Sequence, residues 1–149
     1  MTLNDICVLE VVSCGRTTTV LEAARLMRHH HTGTLVVVDD PEGERTPCGV
    51  VTDRDIVVES LANELDAAET PVAQIMSGRV VIAAASESVP EALERMRVQG
   101  VRRLPVVDHA GSLIGIVALD DLLTLHAKQA AAIAEIVSRE QAKEHRGRR

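Results

Sequence analysis

The fold is indicated by a stretch of twenty residues that occurs twice: VLEAARLMRHHHTGTLVVVD at residues 20–39 and VPEALERMRVQGVRRLPVVD at residues 89–108. Nine of the 20 aligned positions are identical at a shift of 69 residues. Further along, Gly-Val-Val at residues 49–51 matches Gly-Ile-Val at residues 115–117 at a shift of 66. A long period that is seen only twice indicates a tandem duplication rather than a solenoid.

Each copy predicts the same order of elements. The patterns Thr19-x-x-Glu22 and Ser88-x-x-Glu91 are capping boxes, and each begins a helix with apolar residues at helical spacing. A continuous run of mainly β-branched residues follows, as expected for a strand covered on both faces. The elements expected after the first helix are strands at residues 35–38 and 104–107, strands at residues 49–51 and 115–117, and helices at residues 53–65 and 120–128. A short helical link is expected over residues 70–76.

The composition supports a folded core and limits the classes of partner. Val, Ile and Leu supply 43 of the 149 residues, well above the level of disordered chains. Phe, Tyr and Trp are absent, which excludes the aromatic platforms on which single-stranded nucleic acids stack. The net charge of −6 argues against nucleic acid and against anionic membranes as partners.

The chain shows no targeting or membrane signal. Its first ten residues lack a basic region, so no signal peptide is expected. The longest purely apolar run, residues 80–85, is far shorter than the about 20 residues that a membrane helix needs. Three cysteines, an odd number without zinc-site spacing, favour a reduced, cytoplasmic protein.

The C-terminal residues 128–149 are rich in alanine and are predicted to be helical. Residues 138–149 carry five basic and two acidic side chains, a net charge of +3 in an otherwise acidic protein. A partner-docking helix and a solvated tail both fit this segment.

The duplicated pattern, with GVVTDRDI at residues 49–56 and GVRRLPVVD at residues 100–108, strongly resembles a tandem pair of CBS domains, also called a Bateman module. The chain looks most like the stand-alone bacterial CBS-pair proteins. The resemblance divides it into a first motif at residues 6–66, a second at residues 70–127 and a helical tail at residues 128–149. It implies an α/β (α+β) fold of two βαββα units, packed sheet to sheet about a pseudo-two-fold axis, plus a C-terminal helix.

The resemblance also implies a function. CBS pairs use clefts between the motifs for adenosine-containing ligands, so the expected protein is a non-enzymatic regulatory sensor that binds AMP, ADP, ATP or NAD(P). No cofactor is expected beyond that ligand. The expected partners are a second copy in a homodimer and an effector protein that the sequence does not identify. The alternative is a structural assembly module whose clefts stay empty.

The resemblance places Thr52 at a ligand phosphate and Asp55 at the ribose hydroxyls. Thr52 stands where a strand ends and a helix begins, a position that favours an anion. Thr52-x-x-Asp55 is also a helix-capping pattern, and both interpretations hold for the sequence. In the second copy Asp121 matches Asp55, but Ala118 replaces Thr52, so one cleft is expected to be weaker.

Arg102 and Arg103 complete the expected nucleotide site. They precede the strand at residues 104–107, where the family places basic residues that reach phosphates. A surface ion pair is the competing interpretation, and the sequence leaves open which cleft the two arginines serve.

No catalytic or metal site is expected. His29, His30 and His31 are consecutive on a predicted helix, so their side chains point in directions about 100° apart and cannot all face one ion. No spacing in the chain predicts a catalytic triad or dyad.

Overall fold

In the computed structural model, which describes residues 1–147, each copy folds into a helix and a three-stranded sheet. Residues 1–117 form one unit, and a second unit begins at Ala118. The elements in chain order are β1 (Ser13–Gly15), α1 (Val20–His30), β2 (Thr34–Asp39), β3 (Thr46–Thr52), α2 (Asp53–Asp55) continuing as a π-helix (Ile56–Leu61), β4 (Ala83–Ala84), α3 (Val89–Gln99), β5 (Arg103–Val107), β6 (Leu113–Ala118) and α4 (Leu119–Gly147).

The predicted capping boxes begin α1 and α3. Thr19 Oγ1 accepts a hydrogen bond from the Glu22 amide at 3.1 Å, and the Glu22 carboxylate accepts one from the Thr19 amide at 2.8 Å. Ser88 and Glu91 make the same pair of bonds at the start of α3. Each helix is followed by a residue in the left-handed conformation. These helix starts, read from the sequence, are confirmed.

The two sheets have the same strand order, β1-β2-β3 and β4-β5-β6. In each sheet the first strand runs parallel to the second, and β2 pairs antiparallel with β3. The repetition of a strand, a helix and a hairpin in both copies confirms the fold class expected from the duplication.

The central strand β2 is buried on both faces. Leu35 and Val37 pack in one hydrophobic cluster with the apolar side of α1, including Met27. Val36 and Val38 pack in another cluster with Leu113 of the second sheet. The continuous apolar run in β2 therefore reflects a helix on one side and the other copy on the other side.

The segment before each copy pairs with the other copy. The N-terminal segment bonds to the second copy, and the segment between the copies bonds to the first. The four isolated bridges are Thr2–Ser88, Val8–Ile116, Thr19–Pro71 and Val50–Ser77. The shifts of 69 and 66 residues convert the first two bridges into the last two, so the exchange obeys the pseudo-two-fold relation between the copies.

Three elements differ from the expectations. The helix expected over residues 53–65 ends at Leu61 and is mostly π-helical, with the Ala62 amide donating to the carbonyl of Val57, five residues earlier. The link expected to be helical over residues 70–76 contains only a 3₁₀ turn at Val72–Gln74.

The helix expected to end near residue 128 is the third difference, because it runs on as α4 to Gly147. No glycine or proline occurs between Leu119 and Arg146 to end it, and the alanines there favour a helix. The expected start of the tail therefore lies inside one continuous helix. No helix within residues 1–147 has the length and apolar character that crossing a membrane requires.

Candidate functional site

A cavity of about 220 Å³ lies in the first unit, between β3, the segment after Ser77 and the start of β5. Its polar lining consists of three hydroxyl residues and three arginines: Thr34, Thr52, Ser77, Arg79, Arg102 and Arg103. Its other lining residues are aliphatic: Val50, Val80, Val81, Val101, Pro105 and Ile116. The cavity thus combines a cationic, hydroxyl-rich part with an apolar wall.

Thr52 reaches the cavity from the end of β3. Its Oγ1 accepts a hydrogen bond from the Asp55 amide at 3.1 Å, and the Asp55 carboxylate accepts one from the Thr52 amide at 2.8 Å. The capping interpretation of the motif is therefore confirmed. Asp55 is half-buried and is not among the residues that line the cavity.

Arg102 and Arg103 line the same cavity as Thr52, although they belong to the second copy. Both side chains are exposed, and Arg103 is the first residue of β5. The structure therefore brings together three of the five residues that the sequence suggested for nucleotide binding.

Asp121, the fifth of these residues, has a different surrounding. Its carboxylate accepts a hydrogen bond from the Ala118 amide at 2.9 Å, near the start of α4. This is half of the capping box seen at Thr52, because Ala118 has no hydroxyl to accept a bond in return. Asp121 is not among the residues that line the cavity.

Arg79, Ser77 and Thr34 were missed by reasoning from the sequence. Ser77 is held against β3, since its amide donates to the Val50 carbonyl at 3.0 Å and its carbonyl accepts from the Val50 amide at 3.2 Å. A signal for Arg79 exists in the repeat, because the position 69 residues earlier is Glu10. Such a reversal of charge between two copies is typical of a position with a role in only one of them.

The histidine run does not form a metal site. His29, His30 and His31 are all exposed at the end of α1, and the rings of His29 and His30 are perpendicular with centroids 4.8 Å apart. Within residues 1–147, no group of three or more His, Cys, Asp or Glu side chains is placed to hold a metal ion.

The fold and the paired motifs place this chain in the CBS domain family. The model of that family matches residues 3–61 and again residues 72–128, which together are most of the chain. The protein therefore belongs to the CBS domain proteins and contains two CBS domains in tandem.

The most informative relative is hypoxic response protein 1 of Mycobacterium tuberculosis. It is 33% identical over 121 residues, which cover 81% of this chain and 82% of the relative. A crystal structure of Hypoxic Response Protein I with two coordinated zinc ions has a TM-score of 0.73 at 32% identity, covering 83% of this chain and 98% of that one.

Two similar structures contain adenosine-based ligands. The CBS domain protein PAE2072 of Pyrobaculum aerophilum, complexed with AMP, has a TM-score of 0.71 at 25% identity, covering 81% of this chain and 89% of that one. The CBS domain pair of protein MJ0100, in complex with 5′-methylthioadenosine and S-adenosyl-L-methionine, has a TM-score of 0.74 at 25% identity, covering 87% and 98%. CBS pairs with this fold thus bind both phosphorylated and unphosphorylated adenosine derivatives.

Proposed function

We propose that this protein is a non-enzymatic regulatory module that binds an adenosine-containing nucleotide, AMP, ADP, ATP or NAD(P), in the cavity at Thr52. The observation that carries the proposal is the joint placement of Thr52, Arg102 and Arg103 around one cavity with an aliphatic wall. Guanidinium groups and a hydroxyl at the end of a strand suit a phosphate, and the apolar wall suits a purine. The AMP complex of a similar CBS protein supports the same class of ligand.

In this proposal Asp55 binds the ribose. An ionised carboxylate accepts hydrogen bonds from two adjacent hydroxyls, and only one of its oxygens is engaged with the Thr52 amide. The base lies against aliphatic side chains such as Val50 and Ile116, since the chain has no aromatic residue to stack on it. Asp121 belongs to a second, weaker site.

Regulation follows from differential affinity. A ligand shifts a protein between two arrangements only if it binds one of them more tightly. We propose that nucleotide binding changes the geometry of the module within a homodimer in the cytoplasm, and that an effector protein responds to the change. Nucleic acid and membranes are not proposed as partners, given the acidic body of the protein.

Thermal unfolding with added nucleotide tests the proposal. At a ligand concentration of about 100 times Kd, binding adds about 2.7 kcal/mol of stability, which raises Tm by about 5–10 °C for a chain of this size. Mass spectrometry of small molecules released from the purified protein identifies a ligand that co-purifies. Cytidine monophosphate, with the same phosphate and a different base, is the control ligand.

A matched pair of variants assigns the binding to the cavity. Thr52→Ala should reduce the shift produced by AMP, whereas Thr46→Ala should not, because Thr46 lies on the same strand outside the cavity. An absence of stabilisation by every adenosine-containing ligand would favour the structural assembly module instead.

A further inference from the structure

Arg79 lies in an irregular segment that is firmly attached at one end. Two residues earlier, Ser77 makes two backbone hydrogen bonds with Val50 of β3, at 3.0 and 3.2 Å. The segment then continues along the cavity, which Val80 and Val81 also line. The position of Arg79 beside the cavity is therefore set by the pairing of this segment with the first copy.

The cavity carries positive charge that nearby acids do not neutralise. Three arginines line it, and among its described lining residues none is acidic. Within residues 1–147, the side chains of Arg79 and Arg103 form no ion pair or hydrogen bond. Like charges held at one cavity repel each other, so this arrangement is stabilised by an anion that enters it.

The same charge does not occur in the other copy. At the equivalent positions of the repeat, Glu10 replaces Arg79, and Gly33 and Thr34 replace Arg102 and Arg103. The cluster of arginines is consequently a feature of one site rather than a leftover of the duplication. The adjacent hydroxyl of Thr52 has no equivalent either, because Ala118 stands there.

We infer that Arg79 is a phosphate-binding residue that makes this cavity selective for phosphorylated adenosine derivatives. This inference rests on the proposed function and adds the chemical class of the ligand. A phosphate ester gains charged hydrogen bonds from guanidinium groups on both copies and on the segment between them. Neutral 5′-methylthioadenosine gains none of these bonds, and S-adenosylmethionine brings a positive sulfonium to a positive site. The cavity therefore prefers AMP or ADP to both.

Isothermal titration calorimetry with AMP, adenosine, 5′-methylthioadenosine and S-adenosylmethionine tests the inference. The unmodified protein should bind AMP at least about tenfold more tightly than adenosine, since one charged hydrogen bond accounts for about a tenfold to hundredfold change. Arg79→Gln should remove most of that preference and leave adenosine binding unchanged. Arg79→Lys, which keeps the charge without the paired donors, should lie between the two.

The control is Arg28→Gln, which removes another exposed arginine outside the cavity and should leave all four affinities unchanged. If Arg79→Gln proves poorly folded by circular dichroism, Arg79→Lys and the salt dependence of AMP binding to the unmodified protein decide the question. Binding of adenosine or S-adenosylmethionine as tightly as AMP would overturn the inference and leave the proposed function intact. Failure of all four ligands to bind would overturn both.

Discussion

Asp55 and Asp121 occupy the same local position at the start of a helix, and only Asp55 follows a threonine. Each carboxylate accepts a hydrogen bond from the backbone amide three residues earlier, at 2.8 and 2.9 Å. Their contribution to capping is therefore matched, while their side-chain neighbours differ at Thr52 and Ala118. This match allows a ligand role to be separated from a capping role by mutation.

We expect Asp55→Ala to abolish the tighter of two nucleotide-binding events and Asp121→Ala to leave it nearly intact. Both variants lose a cap, so both should lose a similar stability of about 0.5–2 kcal/mol. Calorimetry with AMP, ATP and NAD measures the binding, and thermal denaturation measures the shared loss. If Asp121→Ala removes the tight site and Asp55→Ala does not, the assignment is reversed and the motif at Thr52 is only a cap.

Cys14 is the buried cysteine of β1, and burial raises the pKa of its thiol to about 11. Burial also raises the thiol pKa of the half-buried Cys7 and Cys48, although less far. The thiolate is the reactive form of cysteine, so Cys14 is protected both by its protonation and by its burial.

At pH 8, iodoacetamide should modify Cys14 more slowly than Cys7 or Cys48 in the folded protein. Its rate should rise with pH toward about 11, as the thiolate forms. The unfolded thiol loses its proton at lower pH than the folded one, so stability should also decline from about pH 9 upward. Peptide mapping by mass spectrometry gives the rates, with urea-unfolded protein as the reference. Equal rates at all three cysteines in the folded protein would contradict the burial of Cys14.

At the scale of elements, the crossing segments depend on two glycines at equivalent positions. A Cβ atom at Gly49 would lie 2.6 Å from Met76 Sδ and 2.9 Å from the Ser77 carbonyl oxygen. At Gly115 it would lie 2.7 Å from Cys7 Sγ and 3.1 Å from the Val8 carbonyl oxygen. Both glycines therefore allow a segment from outside the copy to pair with its second hairpin strand.

Gly49→Ala should lower the free energy of unfolding by about 1–3 kcal/mol, because the backbone at Ser77 must move to admit the methyl group. The expected fall in Tm is at least about 2 °C. Gly78→Ala is the matched control, since a Cβ atom there meets nothing within 4 Å. A Gly49→Ala protein as stable as the Gly78→Ala protein would show that the crossing segment is not tightly held.

At the scale of the whole molecule, apolar side chains remain on the surface of each unit. In the first unit, Val57, Val58 and Leu61 of the π-helix are 55%, 41% and 71% exposed. In the second unit, Ile133, Ile136 and Val137 of α4 are exposed as well. Clusters of exposed apolar residues mark surfaces that bind other proteins.

We expect the purified protein to be a homodimer, with twice the chain mass of 16.0 kDa. Light scattering coupled to gel filtration measures the mass, and refractive index replaces absorbance at 280 nm because the chain has no Trp or Tyr. Replacing Leu61 by Glu provides a variant in which an apolar contact between copies would be weakened. A mass near that of one chain at micromolar concentration would exclude the dimer.

Much of the fold could be predicted because the deciding interactions are local or repeated. The caps at Thr19 and Ser88 join residues three positions apart, and the apolar run in β2 directly indicates a strand covered on both faces. Thr52 and its partner Asp55 were found for the same reason. The order of elements needed only the comparison of two copies.

The sequence by itself determined the duplication, the helix starts, the buried strands and the exclusion of aromatic stacking. Only the tertiary structure decided that Arg102 and Arg103 share a cavity with Thr52, that Arg79 joins them, and that the segment before each copy pairs with the other. These contacts join residues far apart in the chain, and local propensity carries no information about which distant segments meet. The packing of one copy against the other sets these contacts, and through them the chemistry of the cavity.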